Sequence, residues 1–239
     1  VIYVNGDSHS AGADIIPGIA FAQDDHRYLG YGRKAHPEAV LQTWGYYFAQ
    51  AMDRGFYCEA ESASSNNRIL RTTKKFVANA VKKDELFIAI GWTSPEREEW
   101  QYGEDYIQVT ASGTDSVPKS MEEEYKEWVL NQTQEELKNK ELKWNQLISS
   151  FSEELIDQGI RHIFFHTSEY EAYLLEHGFS SIGTTNHFNA DAHKAWADHL
   201  VPFANRRINT HLTNHKNNCI ITRVKQEFKG LRKWQPTYS

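Results

Sequence analysis

Apolar positions along this chain follow two alternating rhythms. Short runs of strand character recur at Val1–Val4, Phe56–Ala60, Leu86–Ile90 and His162–Phe165. The run Leu86-Phe87-Ile88-Ala89-Ile90 is apolar without alternation, as a parallel strand buried on both faces requires. Between these runs, apolar residues recur at helical spacing. Val40, Leu41, Trp44, Phe48 and Met52 predict a helix over His36–Asp53, with Pro37 in its first turn and Gly55 as its stop. Ile69, Phe76, Val77 and Ala80 predict another, from about Asn66 to Val81, capped by Ser65 or Asn66. The charge-rich stretch Met121–Gln158 exceeds a usual globular helix and predicts a break near Asn131 or Asn139. A short helix is expected at Tyr170–Glu176 and a last one from Ala190 to about Arg207. Strands alternating with helices through right-handed crossovers give a three-layer α/β/α sandwich with a mostly parallel central sheet, flavodoxin-like in kind.

Three stretches depart from this rhythm. Residues 11–35 contain Gly12, Pro17, Gly18, Gly30 and Gly32 and read as a functional or covering loop. Residues 98–120 form a polar insertion, with a hairpin expected around Tyr106-Ile107-Gln108-Val109. The tail from Thr210 carries six Lys or Arg residues against the single acid Glu227, with an edge strand expected at Asn218–Val224. The chain therefore divides into one domain, 1–208, and a basic arm, 209–239.

At 239 residues the chain can bury a full core without covalent staples. Its net charge of -6 argues against a general affinity for nucleic acid or anionic membranes. Cys58 and Cys219 are expected as buried thiols rather than a disulfide. No apolar run reaches the length of a membrane span, and no signal peptide precedes the first strand.

Strand ends carry the candidate chemistry. Gly6-Asp7-Ser8, Ser62-Ala63-Ser64-Ser65-Asn66 and Gly91-Trp92-Thr93-Ser94 deliver small polar residues to one rim of the sheet, where ligands of open α/β folds bind. On such a turn a serine is either a helix cap or a nucleophile. His193 lies six residues after His187, which is no helical ligand spacing, so neither a metal site nor a cofactor is expected. A Gly-rich phosphate loop and a Gly-x-Ser-x-Gly elbow are both missing, which disfavours nucleotide enzymes and ordinary α/β-hydrolases.

Taken with His187-Phe188-Asn189-Ala190-Asp191 and the later Trp196-Ala197, the Gly6-Asp7-Ser8 turn resembles the first and last blocks of the SGNH/GDSL hydrolase family. Ser64-Ser65-Asn66-Asn67 and Gly91-Trp92-Thr93-Ser94 stand where its second and third blocks belong, and the order holds over about residues 1 to 205. The resemblance extends to versions from tailed phages. It implies a serine esterase or deacylase acting on an acyl ester, such as an acylated carbohydrate. Ser8 would be the nucleophile and His187 its base. The oxyanion donors would come from Ser8, Ala63, Ser64, Asn66 and Thr93.

Three positions depart from the family pattern. Thr184 replaces the Asp that normally holds the imidazole, with a backbone carbonyl or Asp191 as possible substitutes. Ala63 or Ser64 stands for a Gly of the hole, which matters only if the torsion is left-handed. Thr93 stands for an Asn. These changes keep a second reading open, in which the fold is a structural or binding component, for example of a phage particle. Its basic arm would then dock onto neighbouring subunits, and the setting would be a virion or an infected host's cytoplasm. Asp7 and His9 would support the site or touch substrate. Arg68 and Arg97 would grip an anionic group, or pair with the acids around them. Asn66 would serve the hole or cap a helix.

Overall fold

The computed structural model describes residues 1–17, 33–111, 117–183 and 186–210. Four parallel strands make its main sheet: β1 (Ile2–Asn5), β2 (Phe56–Cys58), β3 (Phe87–Trp92) and β6 (Arg161–His166), in the order β2-β1-β3-β6. Ile2 sits opposite both Phe56 and Phe87, and Phe87 opposite Arg161. β1 is therefore central, and all four of its residues are buried. Alternate residues of each strand point to opposite faces. Ile2, Val4, Phe87, Ala89, Ile163 and Phe165 pack under α3 (Trp44–Ala51), α7 (Thr167–Glu176) and α8 (Ala190–Thr210). Tyr3, Ile88, Ile90, Trp92 and Phe164 pack under α4 (Asn66–Asn79) and α6 (Gln134–Asp157). The result is the three-layer sandwich, with the sheet between two helical layers.

The predicted helix over 36–53 is two helices, α2 (Pro37–Val40) and α3. The break follows from polar groups facing the start of α3. Thr43 Oγ1 caps it by accepting from the Tyr46 amide, and the buried His193 Nδ1 accepts from the Trp44 amide at 3.1 Å. The long charged stretch breaks at 131–133, between α5 (Glu122–Leu130) and α6, where Thr133 caps the second helix. β2 stops at Cys58, two residues short of expectation, and β3 runs two residues further, to Trp92. That extension carries Gly91 and Trp92 alongside Phe165 and His166 to the rim.

The insertion contains an antiparallel hairpin, β4 (Glu98–Tyr102) and β5 (Asp105–Val109). Its inner face builds a small core of Ile107, Val109 and Tyr125, with Trp100 and Trp128 packed against it. Gln108 ties it to the body, accepting from the Ser65 amide at 2.8 Å. Cys58 is a free thiol, partly rather than fully buried, and desolvation pushes it up to about 12. Cys219, the expected edge strand and the basic arm beyond Thr210 lie outside the described residues.

Candidate active site

The rim is built around the turn that ends β1. Gly6 has a φ of +157°, and a Cβ there would fall 2.2 Å from Ser10 Oγ and 3.0 Å from the Gly91 carbonyl. Only glycine lets β1 turn this closely against β3. Asp7 then caps the one-turn helix α1 (Ser8–Ala11), its Oδ1 accepting from the His9 amide at 3.1 Å. The cap position left open for Ser8 thus belongs to Asp7. Ser8 is the first helical residue and is partly exposed. Among the described residues, its amide has no acceptor.

Asp7 is 1% exposed and gathers three elements. Its Oδ2 accepts from Thr93 Oγ1 at 2.7 Å, after β3, and from Arg97 Nη1 at 3.2 Å. Thr167 Oγ1, at the start of α7, lies 3.4 Å from that oxygen and 3.1 Å from the Trp92 carbonyl, with one proton for the two. Burial alone would raise this carboxyl. The charges of His9 and Arg97 and the hydrogen bonds from Thr93 and the His9 amide outweigh it, holding Asp7 below the ordinary carboxylate range.

Thr93 and Asn66 are clamped together. The Thr93 amide donates to Asn66 Oδ1 at 2.9 Å, and Asn66 Nδ2 donates to the Thr93 carbonyl at 3.1 Å. Asn66 and Thr93, two of the five residues expected as oxyanion donors, are thus engaged in holding β3 against α4. The cap of α4 is Ser65, whose Oγ accepts from the Arg68 amide. The Ser64 amide donates to the Glu61 carbonyl at 3.2 Å. Ala63 has a φ of +58°, in the left-handed region where a Gly would be at ease and an alanine is strained. Its amide, like that of Ser8, has no acceptor among the described residues. Arg68 is buried among Glu61 at 2.9 Å, Glu59 at 3.6 Å and the Glu59 carbonyl, so it organises the 59–64 turn from inside.

His187 lies over the α1 turn. Its Nδ1 is 2.7 Å from Asp14 Oδ2, across 173 residues of sequence. Gly12, left-handed at φ +76°, ends α1 and folds the chain back to bring Asp14 there. Asp14 itself has a φ of +63°, a conformation Asp tolerates better than most residues. Asp14 was missed because nothing in its neighbourhood marks it beyond an acid shortly after a Gly turn. Asp191 instead sits exposed in the first turn of α8, and Thr184 lies outside the described residues. The Ile182 amide donates to the His187 carbonyl at 2.8 Å. The His187 ring is 5.0 Å from the ring of His9. No hydrogen bond joins Ser8 and His187.

A second imidazole–carboxylate pair stands beside the first. His9 Nε2 is 3.1 Å from Glu171 Oε1 on α7, while its Nδ1 has no partner although the ring is buried. His193 lies deeper. Burial, with His9 and His187 adding, pushes it down to about 3, so it stays neutral and structural.

A cleft of about 420 Å³ opens at this rim between Asp7, His9, Thr93, Arg97, Thr167 and Glu171. It includes the residues on either side of Ser8, but neither Ser8 nor His187 is in its wall. Two larger grooves, about 570 and 640 Å³, flank α4 away from Asp7 and His9. Among the described residues, no group of three or more His, Cys, Asp or Glu is arranged to hold a metal ion. No helix among them is long and apolar enough to cross a membrane.

No family model matches this sequence, and no curated protein matches it. Among solved structures, the chain is similar to a carbohydrate esterase described as having an active site with divergent catalytic and non-catalytic binding functions. The TM-score is 0.40 at 16% identity, over 90% of this chain and 65% of the other. The chain thus spans about two thirds of the length of that structure. Nothing in these comparisons supports a phage origin or a virion role.

Proposed function

We propose that this protein is a serine ester hydrolase of the SGNH type, with Ser8 as nucleophile, His187 as general base and Asp14 as the carboxylate that orients the base. The supporting observation is the 2.7 Å contact between His187 Nδ1 and Asp14. A carboxylate on Nδ1 fixes the tautomer with a lone pair on Nε2 and offsets the charge of the imidazolium formed when Nε2 takes a proton. Asp14 therefore does the work expected of the residue at 184. Ser8 sits one turn earlier on the same segment, at the carboxyl end of the central strand.

In the reaction, the Ser8 oxygen attacks the ester carbonyl while His187 takes its proton. The amides of Ser8 and Ala63, which have no acceptor among the described residues, are the donors for the oxyanion. The structure holds no hydrogen bond between Ser8 and His187, and catalytic hydrogen bonds often form only with substrate in place. The cleft next to Ser8 sets Asn66, Thr93, Asn145 and Ser168 beside Trp92 and Trp144, and such a mixture of hydrogen-bonding groups and aromatic faces suits an acylated carbohydrate.

The test is covalent. A fluorophosphonate probe labels Ser8, read by peptide mass spectrometry, and p-nitrophenyl acetate is hydrolysed by the wild type and not by Ser8→Ala. Absence of labelling together with hydrolysis unchanged in Ser8→Ala removes Ser8 from the chemistry. A second reading keeps the fold as a binding or assembly component. It is favoured by the engagement of Thr93 with Asp7 and of Asn66 with Thr93. It predicts no labelling of Ser8 and specific association through the cleft or the basic arm.

A further inference from the structure

We infer that His9 is a positioning residue for His187, a fixed wall that sets the direction in which the base presents Nε2. The inference rests on the hydrolase reading above. Asp14 fixes one point of the His187 ring, Nδ1, at 2.7 Å. That contact alone leaves the ring free to turn, because the χ2 torsion of a histidine is broad rather than confined to one staggered well. Both partners are also partly exposed, so water competes for the contact. A second contact on the ring has to choose where Nε2 points. The ring that stands there is His9, 5.0 Å away between centroids and inclined at 68°, an edge-to-face arrangement.

A wall must be rigid, and His9 is held from several sides. It is buried, and its amide donates to Asp7 Oδ1 within the α1 turn. Its Nε2 is 3.1 Å from Glu171 Oε1, and the Tyr170 ring packs on it at 5.5 Å and 62°. Two consecutive residues of α7 therefore lock the ring in place. Tyr170 reaches the other piece of chain as well. Its ring meets Phe188, the residue after His187, at 5.7 Å and 89°. The Tyr170 hydroxyl is held in turn by His193. Nδ1 of that ring accepts from the Trp44 amide, so the ring proton is on Nε2, 3.3 Å from Tyr170 Oη.

One helix thus grips both segments that have to meet, the turn carrying Ser8 and the loop carrying His187. Neither a proton nor a substrate contact is asked of His9. Its role is geometric, and geometry is costly to lose: misplacing a reacting group by about 1 Å can cost about 10²-fold in rate.

Substitutions that keep or remove the ring test this. His9→Phe keeps an aromatic wall and cannot carry a proton, whereas His9→Ala removes the wall. On p-nitrophenyl acetate, kcat is expected to fall about 10²-fold in His9→Ala and less than about tenfold in His9→Phe. The second readout needs no activity. In protein labelled with ¹⁵N-histidine, the His187 Nδ1 proton shared with Asp14 should give a resolved downfield NMR signal in the wild type and in His9→Phe. It should broaden or vanish in His9→Ala, as the loosened ring exchanges with water. A His9 that only supports the fold would leave that signal intact in any variant folded by circular dichroism. Glu171→Ala alters a side chain one third exposed and loosens the wall without opening the core. It should weaken the same signal and lower kcat, which keeps the test decisive if His9→Ala does not fold. An unchanged signal and kcat in His9→Ala or in Glu171→Ala, or equal losses in His9→Ala and His9→Phe, would overturn the assignment. A wild type that neither hydrolyses the ester nor labels at Ser8 overturns the hydrolase reading, and the role given to His9 with it. An active wild type puts the question to His9 alone.

Discussion

Replacing Asp7 with Asn is the sharpest test of how the rim is held. Asn keeps an oxygen for the His9 amide, so the cap of α1 survives. It puts an NH₂ group where Oδ2 now accepts from Thr93 at 2.7 Å and Arg97 at 3.2 Å. The Thr93 bond is fully buried, and a hydrogen bond to a charged group is worth about 1.5–3 kcal/mol. The Arg97 side chain is 24% exposed, so its pairing is screened and adds only about 0.5–1 kcal/mol. Asn can rotate to regain part of the Thr93 bond, which leaves an expected loss of about 2–3 kcal/mol. For a domain of this size that lowers Tm by roughly 4–12 °C.

The loss should depend on pH in a fixed direction. The folded-state carboxyl lies below its ordinary value, so its contribution is full above the unfolded value near 4 and disappears as pH falls through the folded one. Urea unfolding of both proteins between pH 7 and pH 3 reads this directly. The gap should be constant from pH 7 to about 5 and should narrow below about 4. A gap that stays constant to pH 3, or no gap at pH 7, would refute the view that a charged Asp7 ties the strand ends together.

The other predictions concern neighbouring residues. Ala63→Gly relieves a left-handed alanine at φ +58°, and should raise stability by about 0.5–1 kcal/mol after the greater unfolded entropy of Gly is counted, seen as a higher urea midpoint. Asp14→Asn should lower kcat on p-nitrophenyl acetate by about 10²–10⁴-fold with the fold unchanged by circular dichroism, since it neutralises the partner of His187. His193, held near 3, should show no ring titration by NMR between pH 4 and 8, and a titration in that window would contradict its burial against Trp44. Its lowered value means that stability falls as pH drops below the ordinary imidazole range, because the unfolded state gains a proton that the folded state refuses.

Much of this molecule is written locally. The unalternating run at Leu86–Ile90, the helical spacing of Ile69, Phe76 and Val77, and the Gly6 turn together dictate the parallel sheet and put Ser8 at its carboxyl rim. They do so because strand burial, helix periodicity and glycine torsions are properties of neighbouring residues. The cap at Ser65 and the break near Asn131 were legible for the same reason. The division of 36–53 into two helices was not, since it depends on His193 reaching back to the Trp44 amide.

What only tertiary structure decided is which polar groups meet. Asp14 reaches His187 across 173 residues, Asp7 draws Thr93, Arg97 and Thr167 to one oxygen, and Arg68 turns inward to Glu59 and Glu61. Local sequence also gave no warning that Ala63 would be left-handed. Charge pairing acts at a distance through space and leaves no period in the chain, so the roles of these side chains emerged only once the strand ends had been brought together.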